Sequence, residues 1–470
     1  MTSPTKEGAI SEELDGIDLG DERLNKRSRR LITTLATDPQ SSLNAACEGW
    51  NETHAAYRFI DNAKVTPAKI LRPHQAATLR RMQAHPVVLI PQDTTELDYT
   101  AHPAEDAKCL NIKRRFGFYE HVQLAVTPAG LPLGVVGTAS HDREPESLGR
   151  TQDRRTSAIE DKESLRWLQA YRAACERQAS CPDTQVVSIA DREGDIYDLY
   201  VAHREQVGPR AEFLIRAQQA RSTLQLDPAA GKRAFCKVLD EVRRSPLLKT
   251  LRIDLPATSK RAAREACLEI RALTVEVKPP HARKHLRSVV VNVVLVEEVG
   301  GPGDGTDVSW QLLTSLPIDT LEEVSLVVSY YRQRWAVEIY FKILKTGCQV
   351  EKLQLETTAR LKNALALYEI IAWRIMFLTY LNRTAPDTPC DRSFTPQEWK
   401  SVWLVTAKTP PPLQPPTLAE FVVLLTRLGG YNNRADERPP GPLPFWIGLR
   451  RMHDLALAYR TFGPDAATYV

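Results

Sequence analysis

None of the eight cysteines pairs with another at C-x-x-C or other paired metal-ligand spacing, so the sequence offers no zinc site. No secretory leader is visible, and the cysteines therefore read as reduced thiols in a cytoplasmic protein. No apolar stretch runs long enough without charge to span a bilayer. The nearest, "NALALYEIIAWRIMFLTYL", is interrupted by Glu369 and Arg374, which suits a buried core helix and excludes a membrane partner. Charge of one sign is also missing. A net charge of +4 is too small to establish a polyanion partner, so local clustering has to carry that argument. "GGPGDG" at 300–305 lacks the Lys-Ser/Thr of a phosphate loop and reads as a hairpin connection. No internal repeat is evident.

What is present is a large apolar fraction. With 43% hydrophobic residues, the chain can bury a substantial core, and 470 residues allow two to four domains. Residues 1–70 read as a helical domain. Its "GDERLNKRSRRLITTLA" crowds Arg23, Lys26, Arg27, Arg29 and Arg30 beside an apolar side of Leu24, Leu31 and Leu35. Such a face is either a phosphate-binding surface or merely a solvated one. "NETHAAYRFIDN" reads as a second short helix.

The period then changes. "HPVVLIPQDTT" is a buried strand ending in Asp93, and "HVQLAVTPAGLPLGVVGTAS" reads as two strands about a Pro-Ala-Gly turn. Residues 157–179 predict a long amphipathic helix. "TQVVSIADREGD" is another buried strand, ending in Asp191, and "EFLIRAQ" is a fifth. From about 222 to 318 the segments "KTLRIDL", "CLEIRALTVEV", "SVVVNVVLVEEV" and "VSWQLLTS" predict a β-rich insertion with the basic loops "TSKRAARE" and "HARKHLR". Proline-rich stretches mark a helical C-terminal region, 386–470. Its last helix could pack on a second subunit or within the chain.

"YYRQRWAVEIYFKILKTG", 330–347, predicts one amphipathic helix. At 100° per residue, Tyr331, Arg334, Glu338 and Lys345 fall within an arc of roughly 60°. By itself this stripe is equally an exposed row of helical salt bridges. Asp93, Asp191 and Glu338 are more informative together. In a sheet of ribonuclease-H type the first and fourth strands are neighbours, and a late helix would bring its glutamate to the two aspartates. Clustered carboxylates stay ionised only with cations between them. Hard oxygen ligands favour Mg²⁺, with Mn²⁺ as a substitute, and two such ions serve in-line phosphoryl transfer. Taken singly, each aspartate is as readily a turn cap.

The joint pattern resembles a known family. Tyr331-x2-Arg334-x3-Glu338-x6-Lys345 matches without a gap the Y-R-E-K signature of the insertion-sequence-four family of bacterial transposases. "QDTT" at 92–95 and "ADREGDIYD" at 190–198 are similar to its two aspartate motifs. "AYRFIDN" and "GDER" resemble helices of its N-terminal DNA-binding domain, and "W-x-LLTS" at 310–315 resembles its strand bearing a base-flipping tryptophan. The resemblance runs from about residue 18 to 348. No helix of the tail matches by eye the family's dimer-forming one.

The resemblance implies a DDE transposase: a mixed five-stranded RNase-H-like sheet with helices, spanning 71–385 and carrying the insertion. Asp93, Asp191 and Glu338 would be catalytic and hold the metals. Tyr331, Arg334, Lys345, Trp310 and Arg216 would contact DNA at the active site, and Arg23, Arg27 and Arg58 would bind transposon ends. It implies a synaptic homodimer on double-stranded ends, hairpin intermediates and insertion into target DNA. Two alternatives stay open: a two-metal nuclease that cannot join strands, and a silent DNA-binding relative.

Overall fold

The computed structural model describes residues 10–47, 49–110, 114–143, 163–227, 232–255, 262–434 and 439–463. In chain order the elements are α1 (Glu22–Thr37), α2 (Leu43–Ala46), α3 (Trp50–Ile60), α4 (Pro67–Gln83), β1 (Val87–Asp98), β2 (Lys108–Cys109), β3 (Phe116–Val126) and β4 (Pro132–His141). Next come α5 (Leu165–Ser180), β5 (Gln185–Ala190), α6 (Tyr197–Glu205), β6 (Glu212–Arg216), β7 (Ser222–Asp227), β8 (Lys232–Lys237) and α7 (Val238–Arg244). They are followed by β9 (Leu247–Leu255), β10 (Arg264–Val277), β11 (Val289–Val299) and β12 (Ser309–Thr314). The chain closes with α8 (Leu321–Arg332), α9 (Trp335–Lys342), α10 (Thr358–Thr384), α11 (Pro396–Ala407), α12 (Leu418–Leu428) and α13 (Pro442–Phe462). These build two compact units. One holds residues 1–81, 94–148 and 336–470, the other 82–93 and 149–335.

The second unit is organised by a mixed sheet. "VVLI", "QVVSIA" and "FLI" are continuous apolar runs, the pattern of strands covered on both faces. They pair in parallel, Val87↔Gln185 through Pro91↔Ile189 and Val187↔Glu212 through Ala190↔Ile215. The insertion does not form a separate module. β12 adds antiparallel to β6, with Leu312 opposite Arg216, and β11 and β10 continue the same ladder. β9 and β7 both pair with β10. "GGPGDG" joins β11 to β12 as a hairpin connection. The helix expected over 157–179 runs from Leu165 to Ser180. Its residues 157–162 lie outside the described residues, as do residues 258–261 of the "TSKRAARE" segment.

The first unit packs helices on the β3–β4 hairpin. Long α10, buried along most of its length, is at its centre. Among the described residues it alone is long and apolar enough to cross a membrane, yet 78% of its apolar window is buried inside the protein. α11 and α12 each start with a capping box, Thr395–Glu398 and Thr417–Glu420, which satisfies helix-end N–H groups. One buried network ties the start of the chain to α4. His74 Nδ1 lies 2.5 Å from Glu13 Oε2, and Arg81 donates to both Glu13 oxygens at 2.9 and 3.1 Å. The Val135 N–H donates to His74 Nε2 at 3.0 Å, so the imidazole is neutral with its proton on Nδ1. Arg81 also lies over the Trp373 ring, 4.5 Å from its centre. Although burial opposes it, bonding to His74 and Arg81 holds the Glu13 carboxyl at about 2. Glu120 behaves oppositely, since burial pushes it up to about 7 against the bond that Ser140 donates to it.

Candidate active site

The site begins with strand register. The last β1–β5 pair is Pro91↔Ile189. Asp93 and Asp191 each stand two residues farther, so continuing that register sets them level and on one face. β1 does not end at Asp93 as the sequence suggested but runs on to Asp98, whereas Asp191 is the first residue after β5 and keeps an extended backbone. Gln92 Nε2 ties the two strands by donating to Ser188 Oγ at 2.9 Å. Asp191 Oδ1 also accepts from the Glu193 N–H at 2.8 Å, so it caps the following turn as an ordinary aspartate would. That turn is tight. A Cβ on Gly194 would sit 2.5 Å from the Ala190 Cβ and 3.2 Å from Trp167, leaving room only for glycine.

Cations converge here. Arg334 Nη1 lies 3.4 Å from Asp93 Oδ2, and its guanidinium stacks 4.7 Å over the half-exposed Trp335 ring. Arg216 ends β6 and donates to the Ser309 carbonyl at 2.7 Å. Its guanidinium is pulled below its ordinary affinity for the proton by burial and by the charges of Arg192 and Arg334. Tyr331 and Asp191 act the other way. Three guanidiniums within electrostatic reach of one another repel, which favours an incoming anion such as a phosphodiester. Trp310 on β12 meets Tyr331 edge-on, ring centres 5.4 Å apart. Tyr331 is buried, and burial raises its hydroxyl. Arg192 was not singled out in the sequence, although it follows Asp191 directly and its type alone signals phosphate.

The single helix expected over 330–347 is instead α8, a turn at Gln333–Arg334, α9, and a π-helical segment Ile343–Gly347 closed by Cys348 N–H to the Ile343 carbonyl at 2.8 Å. The regular 100° spacing that put four side chains in one row therefore does not hold across 331–345. Lys345 sits in the π turn within the first unit. Its Nζ donates to the Glu96 carbonyl at 2.6 Å and lies 3.1 Å from Glu351. Half-buried Glu338 is on α9.

In the first unit, Arg23, Arg27 and Arg58 line one open cleft with Asp21, Leu24 and Asn62. Asp21 caps α1 by accepting from the Arg23 N–H at 2.9 Å, which explains "GDER". Arg27 and Arg30 share Glu52 at 2.7 and 3.1 Å.

Both aspartates offer oxygen donors, which suit a hard divalent cation that keeps waters and phosphate oxygens. Among the described residues, no group of three or more His, Cys, Asp or Glu side chains stands ready to hold a metal ion. The donor chemistry fits a hard divalent cation as a two-carboxylate start to a site.

Aspartates beside crowded arginines suit chemistry on phosphates, and the comparisons give the class: a transposase, which cleaves and transfers DNA strands. The chain belongs to the Transposase DDE domain family, whose model matches residues 78–375. Residues 6–65 match Transposase DNA-binding, and residues 370–461 match the Transposase Tn5 dimerisation domain. The tail in which no dimer-forming helix was legible thus carries a dimerisation segment after all, so DNA and a second copy of the chain are its partners. Enzymes of this family use divalent metal. The chain aligns over 100% of its length with 76% of the piggyBac transposase chain in a synaptic complex with hairpin DNA. Identity there is 10% and the TM-score 0.34, too loose a likeness to support an argument.

Proposed function

We propose that this chain is a cut-and-paste transposase whose RNase-H-like core performs metal-assisted phosphoryl transfer at the ends of its element. One observation carries the reading: the parallel β1–β5 register, continued two residues past Pro91↔Ile189, sets Asp93 level with Asp191, and Arg334 lies against Asp93. We assign Glu338 as the third acid because it holds the glutamate position of the Tyr331-x2-Arg334-x3-Glu338-x6-Lys345 pattern. The three carboxylates would hold Mg²⁺, or Mn²⁺ in its place. When bound, such ions supply a polarised attacking oxygen and neutralise charge on the phosphate.

The chain's own residues do the rest. Arg23, Arg27 and Arg58 hold the end DNA, while Arg192, Arg216 and Arg334 draw the scissile phosphate to the aspartates. Water attacks that phosphorus and releases a 3′-hydroxyl at the transposon end. The hydroxyl attacks the opposite strand, displacing the flanking DNA and closing a hairpin. A second water reopens it, and the same hydroxyl then attacks target DNA. Trp310 offers an indole face to the nucleotide that leaves the stack in the hairpin, Tyr331 buttresses that ring, and Lys345 adds positive charge. Two copies work together in a synaptic complex, in the cytoplasm where the DNA lies.

The test uses purified protein, Mg²⁺ and a labelled transposon end. Nicks followed by hairpins are expected. Glu338→Gln should lower both by about three orders of magnitude or more with end binding retained. Cleavage by Glu338→Gln at the parental rate would remove that residue from the site. Nicks without any hairpin or joined product would make the protein a nuclease instead.

A further inference from the structure

One buried carboxylate has no part in the reading above. Asp195 lies four residues after Asp191 in "ADREGD" and is only 4% exposed. Its Oδ2 accepts from the Gln218 and Gln219 N–H groups, both at 2.8 Å. Its Oδ1 accepts from the Tyr200 hydroxyl at 2.7 Å and from Arg221 Nε at 2.8 Å. Arg221 Nη2 donates to that same oxygen and also to the Asp195 carbonyl, the latter at 2.9 Å. The buried guanidinium lies over the rings of Tyr200 and Tyr197, 5.0 and 5.7 Å from their centres.

The location of this network matters more than its size. The β5–β6 ladder ends at Ala190↔Ile215. The next residues on the two strands are Asp191 and Arg216, both assigned to the site. Beyond that pair no strand hydrogen bond fixes one chain against the other. Asp195 takes over there. It belongs to the turn after β5, which carries Asp191 and Arg192, and it holds the backbone of the turn after β6, two residues beyond Arg216. The repulsion between Arg192 and Arg216 pushes these turns apart, so a clamp across them has a force to resist.

We propose that Asp195 is a positioning residue for DNA strand cleavage. With Arg221 and Tyr200 it clamps the two turns beyond the last β5–β6 pair and sets the separation of Asp191 and Arg192 from Arg216. This rests on the assignment of Asp191 to the reaction.

Asparagine at 195 keeps the shape but cannot keep the bonds. An amide NH₂ must face either the two backbone N–H groups or the guanidinium, a donor against donors in both orientations. Asp195→Asn should therefore slow cleavage at saturating end DNA and Mg²⁺ by about 10–100-fold, the usual cost of losing a group that orients a metal ligand. End-binding affinity should stay within about twofold, since the N-terminal cleft is untouched. Tyr200→Phe, which removes one donor and keeps the ring, should give a smaller loss of about threefold to tenfold in the same rate constant. Calorimetric titration with Mn²⁺ alone supplies a readout apart from turnover, and binding to Asp195→Asn should be weakened. Asp191→Asn is measured alongside. If it cleaves like the parent, the assignment of Asp191 fails. If it is inactive while Asp195→Asn and Tyr200→Phe cleave at the parental rate, the clamp alone is overturned. Parallel loss of end binding, cleavage and melting temperature would also overturn it, as a general structural role. Should Asp195→Asn not fold, Tyr200→Phe decides by the same criteria.

Discussion

The Glu13–His74–Arg81 network and the Asp93–Asp191–arginine cluster both gather charge out of bulk water, but they balance it differently. In the first unit, one carboxylate meets one guanidinium and one neutral imidazole, and these partners satisfy both of its oxygens. That is charge used to hold a chain segment in place. In the second unit, Arg192, Arg216 and Arg334 crowd together, and Arg216 is pulled below its ordinary proton affinity by burial and by the other two. Positive charge concentrated this way is unfavourable until an anion arrives, which is how a phosphate site differs from a structural ion pair.

The comparison can be broken by deleting a member of each cluster. The largest effect on stability should come from Glu13→Ala, which strands a half-buried guanidinium and a buried imidazole. Thermal or denaturant unfolding should show a loss of about 3–5 kcal/mol. Arg216→Gln should invert the pattern. Its melting temperature should hold or rise slightly, because a repulsive neighbour is gone. Its cleavage rate should fall by about 100-fold, and the slope of log affinity for the active-site DNA against log salt should shrink by about one. Equal destabilisation by the two substitutions would erase the distinction. Smaller still is Trp310→Ala, expected to cost about 1–3 kcal/mol in hairpin formation with nicking nearly unchanged. Equal slowing of both steps in a single-turnover time course would remove Trp310 from the hairpin.

The finest distinction is one of pH within the first unit. Glu13 is held at about 2, below its ordinary 4.5, so its stabilisation is present above 4.5 and lost as pH falls toward 2. Glu120 is raised to about 7, so its contribution is present below 4.5 and lost as pH rises through 7. Melting temperature followed from pH 3 to 8 should therefore decline at both ends. Glu120→Gln should flatten only the upper decline.

Much of this site is written locally. The strand that stops just before Asp191, the order of the strands along the chain and the hairpin at 300–305 all depend on neighbouring residues, and each is found where the sequence put it, whereas β1 runs on to Asp98 and leaves Asp93 inside the strand rather than at its end. Trp310, Tyr331, Arg216 and Arg334 do share one unit with the two aspartates. The misreadings come from a different cause. The helix over 330–347 follows from a regular period, and packing replaces that period with a turn and a π segment. Arg192 went unremarked inside a quoted motif because its partners, Arg216 and Arg334, are distant in the chain.

By itself, then, the amino-acid order determined which segments bury, in what order the core strands follow, and which family the chemistry belongs to, because hydrophobic period and residue type act over a few neighbours. Tertiary structure alone decided that the insertion extends the core sheet through β6 and β12, that Glu13 locks onto α4, and that Asp195 bridges two turns. Those outcomes depend on pairings between residues tens of positions apart, where register and burial select partners that no local pattern names.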